Sequence, residues 1–106
     1  MKPLASSLAA ACLAAFAAAP AAAQSVDDML RKYACLSCHT VDKKLVGPSY
    51  KDVAAKYGTQ KDAEKTLAEK VKKGGVGVWG QIPMPPNPTV PDKDLQAMVK
   101  WILTQK

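Results

Sequence analysis

Two thiols and an imidazole stand within five residues in Cys35-Leu36-Ser37-Cys38-His39, and the C-x-x-C-H spacing is that of covalent haem attachment. Two cysteines separated by two residues can reach the two vinyl groups on one edge of a porphyrin and form thioethers. The next residue then lies beneath the iron. His39 is the one histidine of the chain, so the proximal imidazole has a single candidate. Other chemistries fit these residues less well. A thiol–disulfide redox pair belongs in a strand-rich setting, and no strand pattern precedes the motif. A structural zinc site wants four Cys or His ligands, more than Cys35, Cys38 and His39 provide.

A six-coordinate iron needs a second axial donor, and without another histidine the choice falls among methionines and lysines. Met29 and Met98 lie on apolar helix faces, where core packing accounts for them. Met84 differs. It sits in Ile82-Pro83-Met84-Pro85-Pro86-Asn87, where the prolines leave a stiff, extended backbone that holds a thioether in place with little entropy left to lose. Methionine opposite histidine raises the reduction potential and fills the position at which oxygen or peroxide would bind. The chemistry expected is single-electron, outer-sphere transfer, with no catalytic residues. A haem enzyme or gas binder would need an easily opened sixth position instead, and an electron-entry subunit of one oxidoreductase would need an obligate partner.

Helices must position these donors. Val26, Met29, Leu30, Tyr33 and Ala34 recur at helical spacing behind the acidic pair Asp27-Asp28, which predicts a first helix running into Cys35. Thr40 to Pro48 has no sustained period and reads as a loop. With Ser49 as N-cap, Tyr50, Val53, Ala54 and Tyr57 predict a short second helix that Gly58 stops. A third spans Asp62 to Lys73, with Ala63, Leu67, Ala68 and Val71 inward and Gly74-Gly75 beyond it. Val76 to Pro91 is too rich in glycine and proline for helix or central strand. Leu95, Met98, Val99, Trp101, Ile102 and Leu103 then mark a terminal helix, its cap expected at Thr89 or just after. No strands are expected.

Taken together, the C-x-x-C-H motif, Val46-Gly47-Pro48, Tyr50 to Lys56, Gly77-Val78-Trp79-Gly80, Ile82 to Asn87 and the closing Lys100-Trp101-Ile102-Leu103 resemble the short bacterial class I cytochromes c of the c-551/c-552 type. The resemblance implies an all-α fold of four to five helices and loops wrapped around one covalently bound haem c. It implies that Pro48 offers its carbonyl to the His39 ring, that Trp79 donates its indole N–H to a haem propionate and that Asn87 hydrogen-bonds near the Met84 sulfur. The segment Asn87-Pro88-Thr89-Val90-Pro91 is one residue longer and more proline-rich than the family's common pattern, which bears on how Asn87 is placed. The partners implied are a quinol-oxidising cytochrome bc-type complex on one side and a terminal oxidase or nitrite reductase on the other.

At 106 residues and 48% hydrophobic composition the chain suffices for one compact domain. The alanine-rich apolar stretch after Met1-Lys2-Pro3, ending in Ala21-Ala22-Ala23, reads as a secretory signal peptide. Residues 1–23 are expected to be removed and 24–106 to form the monohaem cytochrome c domain in the periplasm. Cys12 could in principle be lipidated, but the aliphatic residue usual three positions earlier is missing. The stretch is too short and too alanine-rich for a stable membrane span. Loss of Lys2, its one charged residue, takes the net charge from +6 to +5, a basic balance that favours acidic protein partners. Nine lysines between Lys43 and Lys73 form either a docking surface or merely solvated helix faces. Nothing in the chain matches a nucleic-acid recognition motif, and a monomer is expected.

Overall fold

The computed structural model describes Pro3 and residues 24–106; the expected signal peptide and Cys12 lie outside the described residues. Among the described residues, four helices and one tight turn form the fold. Helix α1 spans Val26–Lys32, capped by the Ser25 hydroxyl, which accepts the Asp28 N–H at 3.1 Å. The Asp27-Asp28 pair stands in its first turn and Arg31-Lys32 in its last, each favourable to the helix dipole.

Contrary to the sequence expectation, α1 does not run into Cys35. It stops at Lys32, Tyr33 caps it, and Ala34 takes a left-handed conformation at φ 60° before a 3₁₀ turn over Cys35–Ser37. A non-glycine residue in that region costs about 1–2 kcal/mol. The reversal lets the chain leave the helix axis and enter the tight turn that carries the two thiols. Periodicity misses it, because Ala34 continues the apolar pattern while its backbone abandons the helix.

Helix α2 covers Tyr50–Tyr57, with the Ser49 hydroxyl accepting the Asp52 N–H at 3.1 Å and Gly58 at its end. Helix α3 covers Ala63–Lys73 and ends on Gly74. Helix α4 covers Asp92–Leu103. Its N-cap is Pro91, two residues past Thr89, and no side chain caps it. Instead the Pro91 carbonyl accepts the Leu95 N–H at 2.9 Å, and Asp92 and Asp94 supply negative charge to the first turn. Proline suits this position because its fixed φ leads into the helix.

Helix α4 packs against each of the other three. Its Leu95, Met98 and Val99 are almost wholly buried, and Met29, Leu30, Tyr50, Val53, Tyr57, Ala63, Leu67 and Val90 close the core around them. Met29 and Met98 are therefore core residues. The Tyr33 hydroxyl donates to Asp94 Oδ2 at 2.6 Å and ties α1 to α4. Among the described residues no strand forms; the nearest approach is one isolated antiparallel bridge between Gly75 and Met84.

Candidate haem site

The first half of the site is built almost entirely from neighbours in sequence. In the turn over Cys35–Ser37 the Cys35 carbonyl accepts the N–H groups of both Cys38 and His39, at 3.2 and 3.0 Å. Two thiols and the imidazole are thereby held on one short, curled segment. Cys35 and Cys38 are unpaired thiols, each half-buried. Burial pushes the Cys35 thiol above its ordinary range, with a smaller push from Cys38. This is the reverse of what a thiol–disulfide reagent requires, since the thiolate is the attacking form.

Three groups fix the His39 ring. Its Nδ1 lies 2.8 Å from the Pro48 carbonyl oxygen. A carbonyl only accepts, so Nδ1 carries the proton and Nε2 is left with a lone pair for a metal. The Tyr50 ring stacks on the imidazole at a centroid distance of 5.2 Å and 19° between planes, and Trp101 of α4 meets Tyr50 edge-on at 5.9 Å. Gly47 completes the enclosure: a Cβ there would fall 2.5 Å from Cε1 and 2.9 Å from Nδ1 of the ring. Local pattern reads Gly47 as a loop residue and Tyr50 as a helix face, and both stand in segments that carry the family resemblance; their contacts with the His39 ring come from the structure.

The second half is built where the Met84 segment folds back onto the end of α3. The Met84 N–H donates to the Gly75 carbonyl at 2.8 Å, and the Met84 carbonyl accepts the Gly75 N–H at 3.1 Å. Three residues on, the Asn87 N–H donates to the Val71 carbonyl at 2.9 Å, and its side-chain amide donates to Pro85 O at 3.1 Å and, more weakly, to Val71 O. The proline-flanked methionine is thus tied to the last turns of α3. The Asn87 amide donates to backbone carbonyls, which fastens the Met84 segment to α3. The longer, proline-rich stretch after it enters α4 directly through Pro91.

Trp79 is 41% exposed and lies outside the core cluster, so its place in the loop is not explained by core packing. Its ring faces the Lys56 ammonium of α2 at 5.5 Å. Leu45, Val46, Val76, Val78 and Ile82 are likewise exposed, and all six side chains belong to the two loops that carry or flank the donors. That much apolar surface on two loops of one small domain marks a binding surface for something apolar. Together the residues suit a porphyrin: unpaired thiols at vinyl spacing, an imidazole with its outer nitrogen free, a soft thioether and apolar walls.

Comparison with known proteins points the same way. Residues 21–106 match the family model described as Cytochrome c. The chain is 54% identical over 84 residues to cytochrome c-552 of Nitrosomonas europaea, covering 79% of this chain and 82% of that protein. To cytochrome c-551 of Pseudomonas aeruginosa it is 49% identical over 84 residues, covering 79% and 80%. In structure it is similar to the crystal structure of wild-type Nitrosomonas europaea cytochrome c552, with a TM-score of 0.72 over 76% of this chain and 99% of that one. The class 1 cytochrome MtoD of Sideroxydans lithotrophicus ES-1 is 32% identical with a TM-score of 0.65, covering 76% of this chain and 91% of that one.

Proposed function

Because this chain belongs to the cytochrome c family, of the c-551/c-552 type, and carries one covalently attached haem c with its iron, we propose that it is a periplasmic single-electron carrier, and not an enzyme, with Cys35 and Cys38 as the thioether anchors and His39 and Met84 as the axial ligands. The observation that carries the reading is the His39 ring. Its Nδ1–H is spent on Pro48 at 2.8 Å, which aims Nε2 outward as a ligand and raises its basicity. The haem supplies a ferric/ferrous couple.

The chain's residues do the rest. His39, held by Pro48 and enclosed by Gly47 and Tyr50, keeps one orientation in both oxidation states, so little reorganisation accompanies each electron. Met84 holds the sixth position closed against oxygen and peroxide. Trp79, on its exposed loop, would donate its indole N–H to a propionate, and the Lys56 ammonium over its ring would add positive charge nearby. Asn87 fastens the Met84 segment to α3. The exposed side chains of Leu45, Val46 and Ile82 would offer apolar surface to the haem.

Residues 1–23 direct export and are removed, and the 24–106 domain works as a monomer between a cytochrome bc-type complex and a terminal oxidase or nitrite reductase. Its redox protein partners meet it in brief encounters, and the basic balance of the chain steers it toward acidic surfaces. No helix among the described residues is long and apolar enough to cross a membrane.

An absorption spectrum of the matured protein, oxidised and reduced, tests the axial pair. The expected result is a low-spin c-type spectrum with the weak near-infrared sulfur-to-iron band, unmoved by carbon monoxide. High-spin features or ready carbon monoxide binding would overturn the carrier reading in favour of an enzyme or gas binder.

A further inference from the structure

Helix α3 ends on Gly74 at φ 70° and ψ −171°, a conformation that glycine adopts freely and other residues do not. More telling is what stands beside it. A Cβ at Gly74 would lie 2.4 Å from the Met84 carbonyl oxygen, 2.9 Å from the Pro86 nitrogen and 3.0 Å from the Pro85 carbonyl carbon. All three are backbone atoms, in a segment stiffened by Pro83, Pro85 and Pro86, so no side chain can rotate out of the way. The close approach belongs to this glycine alone among its neighbours. At Gly75, Gly77 and Gly80 a Cβ would meet nothing within 4 Å.

The contact coincides with the two-way backbone pairing of the Met84 loop. Gly75 exchanges both hydrogen bonds with Met84, and Asn87 reaches back to Val71 one turn earlier in α3. The segment around Met84 is therefore drawn onto the end of α3, and the bare Cα of Gly74 sets how far in it can seat. We infer that Gly74 is a positioning residue for Met84, acting through the depth of this seat. The inference rests on the reading of Met84 as axial ligand. A methyl at this position must push the Met84 carbonyl from 2.4 Å to an ordinary contact of 3.4 Å or more. Displacement on that scale at the backbone carries the sulfur with it.

A simpler role would be to end the helix, as glycine often does. Gly58 separates the two roles. It also follows a helix, and a Cβ there would meet only Ala54 of its own helix, with the oxygen at 2.5 Å; Gly58→Ala therefore disturbs a helix end remote from Met84.

The test uses matured holoprotein: wild type, Gly74→Ala, Gly58→Ala and Met84→Ala. The readouts are the near-infrared sulfur-to-iron band, the imidazole affinity of the ferric form and the thermal midpoint. Gly74→Ala is expected to weaken the band and to bind imidazole about tenfold tighter or more, because apparent affinity rises in proportion to the fraction of molecules with the sixth position open. Gly58→Ala is expected to lower the midpoint and leave band and affinity as in wild type. If Gly74→Ala keeps the wild-type band and affinity, or if Gly58→Ala loses them in step with its stability, the inference is overturned. Should Gly74→Ala yield no holoprotein, Asn87→Ala loosens the same seat from its other side, and an unchanged imidazole affinity there overturns the inference as well. A wild type without the band, or a Met84→Ala protein that keeps it, overturns the axial assignment and this inference with it.

Discussion

The two halves of the haem site are held by different kinds of contact, a buried aromatic ring on one side and exposed backbone hydrogen bonds on the other. His39 is held by groups 8 to 11 positions away in the chain, at Gly47, Pro48 and Tyr50, on a segment whose own turn fixes the thiols. Met84 is held by α3, through Val71, Gly74 and Gly75. The loops closed are of similar length, since Gly75 and Gly74 stand 9 and 10 positions before Met84. What differs is burial: the His39 ring packs on the buried Tyr50, whereas the Met84 segment hangs on backbone hydrogen bonds from half-buried or exposed residues, so it is expected to open first when the fold loosens. The histidine side is expected to be the firmer anchor and the methionine side the more adjustable one.

Removing the local anchor should have the largest effect. With Cys35 and Cys38 both replaced by alanine, no haem should remain bound after denaturing electrophoresis, and the far-ultraviolet circular dichroism should fall. The domain has only a marginal core without the buried macrocycle. Retention of covalent haem would break the assignment.

Met84→Ala should then divide the two halves cleanly. Covalent haem and helix content are expected to survive. The reduction potential should fall by a sizeable part of the roughly 0.8 V range over which axial ligands set haem potentials, and carbon monoxide should bind. Voltammetry and a gas titration measure both.

Gly47→Ala probes the histidine side by crowding, since its Cβ would overlap the His39 ring. Overpacking of this kind costs about 1–3 kcal/mol, read by chemical denaturation of the holoprotein. The low-spin spectrum should persist because the thioethers retain the haem beside the ring. A loss of ligation as complete as that of Met84→Ala would erase the contrast between the halves.

The smallest effect belongs to neither half but to the latch between α1 and α4. The Tyr33 hydroxyl donates to Asp94, and that bond, with burial and the carboxylate charge, raises its pKa above the ordinary 10. A raised acid binds its proton more tightly folded than unfolded. Its contribution to stability is therefore complete below pH 10 and is lost as pH rises through the folded value. Tyr33→Phe should flatten that alkaline decline and leave the spectrum untouched, as pH-dependent thermal melts would show. Tyr50, whose pKa burial raises further, should keep part of the decline in place.

Much of this molecule can be read along the chain. The motif at Cys35–His39, the helices over Tyr50–Tyr57 and Ala63–Lys73, the Ser49 cap and the irregular loop around Met84 all follow from local chemistry, in which side-chain type and backbone preference act within a few residues. The break at Ala34 and the Pro91 cap were harder, because each is decided by where the chain must go next and not by the residue's own propensity.

The sequence by itself determined which atoms are available: two thiols at vinyl spacing, one imidazole, one methionine stiffened by prolines, and the helical periods that bury Met29 and Met98. Only the tertiary structure decided what surrounds them. Nothing in the string Lys73-Gly74-Gly75 distinguishes the glycine that must lack a Cβ from the one that need not. That difference arises when α3 and the Met84 segment meet, because steric exclusion depends on interatomic distances set by the folded path of the loop between them and not by residue type.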